Sequence, residues 1–182
     1  MKQTLVRHID GWLITLVLAV AIALALLALA EAAAIAAPAR LSWVEHVRAA
    51  DEAIAAGDIT TAVRAVSSAY GAALQSGGWE GLLAVGDATL RVGAASKSSR
   101  AAEPQARQTY LTAMFRARQA GSLDGVLRAC RAFDRLGDGS VVLQCVKIAR
   151  QIARRPDEVA RVAAFNRGRD DAALARVEGR PR

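Results

Sequence analysis

Aromatic residues make up only 4% of this 182-residue chain, so its core cannot rest on large rings. Lysine is nearly missing: Lys2, Lys97 and Lys147 are the only three, and arginine carries almost all of the net charge of +7. Two histidines occur, His8 and His46, and two cysteines, Cys130 and Cys145. β-branched runs of alternating polarity are absent, which argues against a sheet. No glycine-rich phosphate loop follows a strand, and no Gly-x-Ser-x-Gly elbow or His-Glu-x-x-His pair occurs. His46 stands beside Glu45 and near Asp51, but no second histidine or suitable cysteine lies at ligand spacing. The sequence therefore predicts no catalytic residue, no metal, no cofactor and no small-molecule substrate. Nucleic acid is excluded on similar grounds, because the arginines are scattered among acids without stacking aromatics.

What remains is alanine, leucine and valine. Alanine and leucine lead the helix-propensity ranking, and small side chains let helices approach closely, so the chain reads as all-α. Its most distinctive stretch is Gly11–Ala30, twenty residues without a charge. At roughly 1.5 Å per residue such a helix crosses a bilayer core of about 30 Å. The reading is a lead over 1–10, a transmembrane anchor over 11–37 and a linker over 38–42, with Pro38 ending the helix. A cleaved signal peptide is the rival, since Ala28-Leu29-Ala30 before Glu31 has the small-x-small form. The apolar run exceeds the usual signal core, which favours a retained anchor. Lys2 and Arg7 precede the span while Arg40 and Arg48 follow it, a small difference. The short lead tips the orientation towards a cytoplasmic N-terminus, with the domain on the periplasmic side of a bacterial inner membrane.

Beyond Pro38 the chain breaks into segments of helical period near Leu41–Ala56, Ile59–Leu74, Trp79–Val92, Pro104–Ala120, Leu123–Leu136 and Ser140–Arg154. Gly57-Asp58, Ser76-Gly77-Gly78, Gly121-Ser122 and Gly137-Asp138-Gly139 supply turns. Asp58, Ser122, Asp138 and Ser140 are N-cap candidates. Short turns between helices force antiparallel neighbours, hence a row of hairpins. Residues 157–167 read as a capping helix with Val159, Val162 and Ala163 inward and Arg161 outward. Residues 168–182, dense in charge, read as a frayed tail.

The hairpins share a pattern. Leu82-x2-Val85-Gly86-x2-Thr89 matches Val126-x2-Ala129-Cys130-x2-Phe133 and His46-x2-Ala49-Ala50-x2-Ala53. After the turns come Ala62 and Val66, Tyr110 and Met114, Val142 and Val146, with Ala69, Ala117 and Ala149 three residues on. This resembles the tetratricopeptide repeat, a helix–turn–helix unit, over residues 43–156 as three units of an α-solenoid. An insertion at about 93–103, rich in Ser, Ala and Gly, accounts for the longer middle spacing. The departures are that no Trp leads the conserved block, that the Tyr position of the motif is Ala53, Thr89 or Phe133, and that the closing proline is absent or displaced to Pro156.

The resemblance implies a curved scaffold whose first helices line a groove for a peptide or helix of a protein partner. Carried over by position, the groove is Val47, Asp51 and Ile54; Leu83, Asp87, Leu90 and Arg91; Leu127, Arg131, Asp134 and Arg135. Apolar centres with charged flanks suit an amphipathic helix or a peptide carboxylate. The plainer reading is an ordinary solvated helix face. Cys130 and Cys145 fall at nearly equal height on the last hairpin, so either a disulfide joins them or Cys130 is a small core residue like Ala50 and Gly86. The expectation is a membrane-anchored protein-interaction scaffold, a subunit or assembly factor of a membrane complex. The alternative is a membrane-surface or regulatory protein whose Arg-rich helices bind anionic lipid or an acidic partner.

Overall fold

At four of the glycines read as turns, the backbone leaves the right-handed helical region, while Gly139 opens a helix. Gly57, Gly77, Gly121 and Gly137 have φ between +63° and +77°, a conformation open to glycine at no steric cost. At three of them the following residue reaches back along the helix just ended: Asp58 N–H to the Ala53 carbonyl (2.9 Å), Ser122 to Ala117 (2.8 Å), and Asp138 to Phe133 (3.0 Å). These bonds satisfy carbonyls that a helix end leaves open.

The computed structural model describes residues 42–178, with side chains to Arg169 and at Asp171. The chain divides after Ala39, and every described residue belongs to the second unit. The expected lead and anchor lie outside the described residues, as do Trp12 and the final four positions. No helix among the described residues is long and apolar enough to cross a membrane.

The described residues are all-α, without a strand. Helix α1 covers residues 42–55, followed by α2 (Ile59–Gln75), α3 (Glu80–Ala95), α4 (Ser99–Gln119), α5 (Leu123–Arg135), α6 (Gly139–Ile152) and α7 (Pro156–Glu178). From α2 onward each helix packs on its neighbours in sequence, while α3 meets α5, α4 meets α6 and α5 meets α7. The result is two layers, with α1, α3, α5 and α7 in one and α2, α4 and α6 in the other. All nine positions singled out on α2, α4 and α6 are buried, from Ala62 through Tyr110 to Ala149. On α3 and α5 the matching positions are buried too. On α1, Ala50 and Ala53 are buried, Ala49 is exposed and His46 is half-buried. The difference has a simple source: α3 and α5 each have an earlier hairpin against them, and α1 has none among the described residues.

The hairpin junctions repeat. A Cβ at Gly81 would lie 3.1 Å from the Trp43 ring and 3.0 Å from Ala73; one at Gly125 would lie 2.7 Å from both the Trp79 ring and Ala117. In each case the tryptophan opening one hairpin lies over a glycine at the start of the next. Trp43 is thereby a packing residue of the domain. Arg116 ties a junction from the other side, donating to the carbonyls of Ala73 (3.2 Å), Leu74 (3.1 Å) and Gly78 (3.3 Å).

Several expectations need correction. Residues 93–103 are not a loop insertion: α3 continues to Ala95 and α4 begins at Ser99, joined by a turn in which Lys97 takes φ +57°. Lys97 and Ser98 reach back to Ala94 and Gly93 as the glycine turns do. Pro104, expected to open its helix, lies inside α4. Its missing N–H deprives only the carbonyl of exposed Arg100, which water can satisfy. Asp58 and Ser122 do cap, accepting from Thr61 N–H (2.9 Å) and Gly125 N–H (3.1 Å). Asp138 holds the N-cap position but spends its carboxylate on Arg107, and Ser140 lies within α6. The final helix continues past residue 167 to Glu178, through much of the expected tail. Val162 is buried on it, but Val159 is 53% exposed; Phe165 packs on the core in its place.

Cys130 and Cys145 form a disulfide between α5 and α6, with Cα atoms 5.7 Å apart and both residues buried. At the start of α7, Glu158 accepts from the N–H groups of Arg154 (2.9 Å) and Arg155 (3.2 Å). Those two backbone bonds hold its carboxyl below the usual carboxylate range, with Arg155 adding to the effect. A lowered native pKa means that this cap's stabilisation of α7 is fully present above the ordinary carboxylate pKa and is lost as pH falls below it through the lowered native value. Hydrogen exchange will therefore show the Arg154 and Arg155 amides protected at neutral pH and released in acid. Glu158→Ala, which removes the acceptor, will lose that protection at neutral pH, whereas an unchanged pH dependence in the variant would show that another group controls it.

Candidate partner-binding groove

Helix α5 carries arginines at 128, 131 and 135, positions three and seven apart that share one face. Each is oriented by a different neighbour. Arg128 lies over the Trp79 ring, 5.3 Å from its centroid, and Arg131 over the Phe165 ring at 5.9 Å. Arg135 donates to Asp87 Oδ1 at 2.7 Å. That oxygen also accepts from the Tyr110 hydroxyl at 2.6 Å. Burial, with Asp87 next to it, pushes the Tyr110 hydroxyl pKa far above its ordinary value, so the phenol stays a proton donor. Asp87 is thus fixed from below by α4 and from the side by α5.

The same arrangement recurs one hairpin earlier. Arg91 on α3 grips Asp51 on α1 with both prongs of its guanidinium, at 2.8 and 3.0 Å. On the other flank Arg161 of α7 donates to Asp124 of α5 at 3.0 Å. The partners in these three bridges are roughly half exposed, so each contributes little to stability by itself, typically under about 1 kcal/mol. Their geometric effect is larger: they lace α1, α3, α5 and α7 into one continuous face.

Two clefts open on that face. One, of 220 Å³, lies between α3 and α5, with Leu83 and Ala132 at its base and Asp87, Arg128, Arg131 and Arg135 around it. The other, of 450 Å³, lies between α5 and α7, where Leu127, Arg131 and Asp134 face Arg161, Phe165 and Arg169. Arg131 belongs to both, so the clefts adjoin. Five arginines against Asp87 and Asp134 leave the lining net positive.

The residues expected in a groove therefore separate into two sets. Asp51, Asp87, Arg91, Arg131, Asp134 and Arg135 come together on the α1–α3–α5 face, and Leu83 and Leu127 line the clefts while buried. Val47, Ile54 and Leu90 do not offer an apolar surface: they are half-buried against the core. A first helix in a two-layer array has two packed flanks, which draws its apolar side chains sideways. Four contributors were missed, namely Arg128, Arg161, Phe165 and Arg169. The i, i+3, i+7 spacing of Arg128, Arg131 and Arg135 was a readable signal. That Phe165 would reach back to α5 was not.

Among the described residues no group of three or more His, Cys, Asp or Glu side chains could hold a metal ion. No protein-family model, curated protein or solved structure matches the chain.

Proposed function

We propose that this protein is a membrane-anchored interaction scaffold, a tetratricopeptide-like α-solenoid that holds a segment of a protein partner against α3, α5 and α7. The single observation behind the reading is the arginine fan of α5. Three guanidinium groups stand over buried leucines, each preoriented by Trp79, Phe165 or Asp87. Preorientation lowers the ordering cost of binding, and guanidinium matches carboxylate geometry in two-pronged fashion. A segment with acidic side chains, or a terminal carboxylate followed by apolar residues, fits such a surface. The chain's uncharged Gly11–Ala30 run would raise the effective concentration of the domain for partners in the same membrane. A subunit or assembly factor of a membrane complex, with the domain in the periplasm, is the concrete form of this reading.

Photocrosslinking in native membranes tests it, with the reactive residue at position 91 or 131 and a control at 144 on the other layer. One dominant protein should be captured from both groove positions and not from 144. Arg135→Glu should cut that capture at least tenfold, as expected when a preoriented charge pair worth about 1.5–3 kcal/mol is removed and reversed. Equal capture from all three positions, or indifference to Arg135→Glu, would refute a groove-bound partner.

A further inference from the structure

The opposite layer has a charge pattern of its own. Helix α6 contains no acidic residue, and the sole acid of α4, Glu103, is engaged by Arg107 at 3.2 Å. Arg107 also donates to Asp138 at 2.7 Å, just ahead of α6. This contact sets the two helices in parallel register. One turn further on, Leu111 of α4 and Leu143 of α6 reach similar height, and a second turn brings Phe115 level with Lys147. At the far end Arg118 and Gln151 line one cavity together with Arg154, which agrees with the register.

Three of these side chains are large, apolar and open to solvent: Leu111 is 36% exposed, Phe115 51% and Leu143 52%. Above them stand Arg118, Lys147, Arg150 and Arg154, all exposed. Among the described residues no acidic side chain forms an ion pair with the side chain of any of the four; Glu158, which shares the far cavity, is engaged by Arg155 at 2.9 Å and by the Arg154 backbone N–H. A packed interior explains neither feature, because these side chains face away from the core. An apolar strip beside unpaired cations is the pattern of a surface that lies in the headgroup zone of an anionic bilayer. The cations meet phosphate and acidic headgroups, while the apolar side chains enter the acyl boundary. In the groove each arginine of α5 is held by a ring or a carboxylate, as a fixed protein partner requires, whereas among the described residues no ring or carboxylate holds the side chains of these four cations, which suits mobile headgroups.

We infer that the outer face of α4 and α6 rests on an anionic lipid surface, with Phe115, Leu111 and Leu143 inserted and Arg118, Lys147, Arg150 and Arg154 on the headgroups. The uncharged Gly11–Ala30 run would keep that surface within reach. The inference is independent of the groove, which lies on the other layer.

The test uses the full chain reconstituted into vesicles of phosphatidylcholine alone or with one-third phosphatidylglycerol. A photoreactive phenylalanine analogue replaces Phe115, or in a second preparation Arg91, and lipid adducts are read by mass spectrometry. Position 115 should label lipid strongly in the anionic vesicles and weakly in the neutral ones, and position 91 should label little in either. Lys147→Ala with Arg150→Ala should reduce the adducts at 115 at least fivefold, the loss expected for even one cation near an anionic surface. Unchanged helicity in that variant shows that the domain remains folded. Equal labelling at 115 and 91, indifference to lipid charge, or a protein adduct at 115 in native membranes in place of lipid would each overturn the inference. Groove capture at positions 91 and 131 can succeed or fail without regard to this result.

Discussion

Gly86→Ala will destabilise the domain by about 3 kcal/mol, the upper range for overfilling a packed core. Thermal denaturation should show this as a midpoint lowered by about 10 °C, given the entropy of unfolding of a domain this size. A Cβ at Gly86 would sit on the face of the Tyr110 ring, 2.7 Å from Cδ1 and 2.9 Å from Cζ. The ring has nowhere to go. It is fully buried, its hydroxyl is bound to Asp87 at 2.6 Å, and its edge meets Phe133 at 77° with centroids 6.0 Å apart. The same change at Gly71, on α2, meets nothing within 4 Å. There alanine should stabilise by about 0.5–1 kcal/mol through helix propensity alone. Opposite signs at the two glycines would establish that the α3–α4 contact is set by the missing side chain at 86. A loss below 1 kcal/mol at Gly86 would show that the helices can part without cost.

That contact also bears on the groove, because Tyr110 is the lower support of Asp87, and Asp87 orients Arg135. Displacing the ring should therefore weaken partner capture before the domain unfolds. Packing and recognition meet at this one carboxylate.

The α-helical class and most helix ends were legible in the sequence for local reasons. Turn glycines at 57, 77, 121 and 137 mark backbone that only a residue lacking Cβ enters freely. The nine small or apolar positions on α2, α4 and α6 follow from a helix flanked on both sides. Composition misleads where it opposes local helix propensity. Residues 93–103 look loop-like in serine and glycine, yet Ala94, Ala95, Ala101 and Ala102 favour helix, and the turn falls on Lys97 for want of a glycine there. The segment after Gly168 was read as a charged tail, although alanine, arginine, leucine and glutamate are strong helix formers. The groove was half legible. Charged positions at helical spacing could be carried over, but which apolar residues turn towards a neighbouring hairpin depends on crossing geometry that no local pattern records.

Reduction of the Cys130–Cys145 disulfide should lower stability by about 3 kcal/mol, as expected when closure of a loop of 15 residues is released in the unfolded chain. The fold itself should survive, because both side chains are small and buried, and Ala50 and Gly86 fill the position matching Cys130 without any bond. Joint replacement Cys130→Ala with Cys145→Ala should consequently resemble reduction, with a midpoint lowered by about 10 °C and helicity retained. Reductant should have no further effect on that variant; a further drop would mean that something other than the bond responds. The same pair reports on compartment. A buried disulfide persists in the oxidising periplasm, whereas cytosolic thiols are kept reduced. In intact cells, denaturing alkylation should leave both cysteines unmodified unless a reductant is added first, if the domain faces the periplasm. Alkylation without reductant would place it on the cytoplasmic side. The bond is then absent in the cell, and the hairpin stands on the packing of α5 against α6 alone.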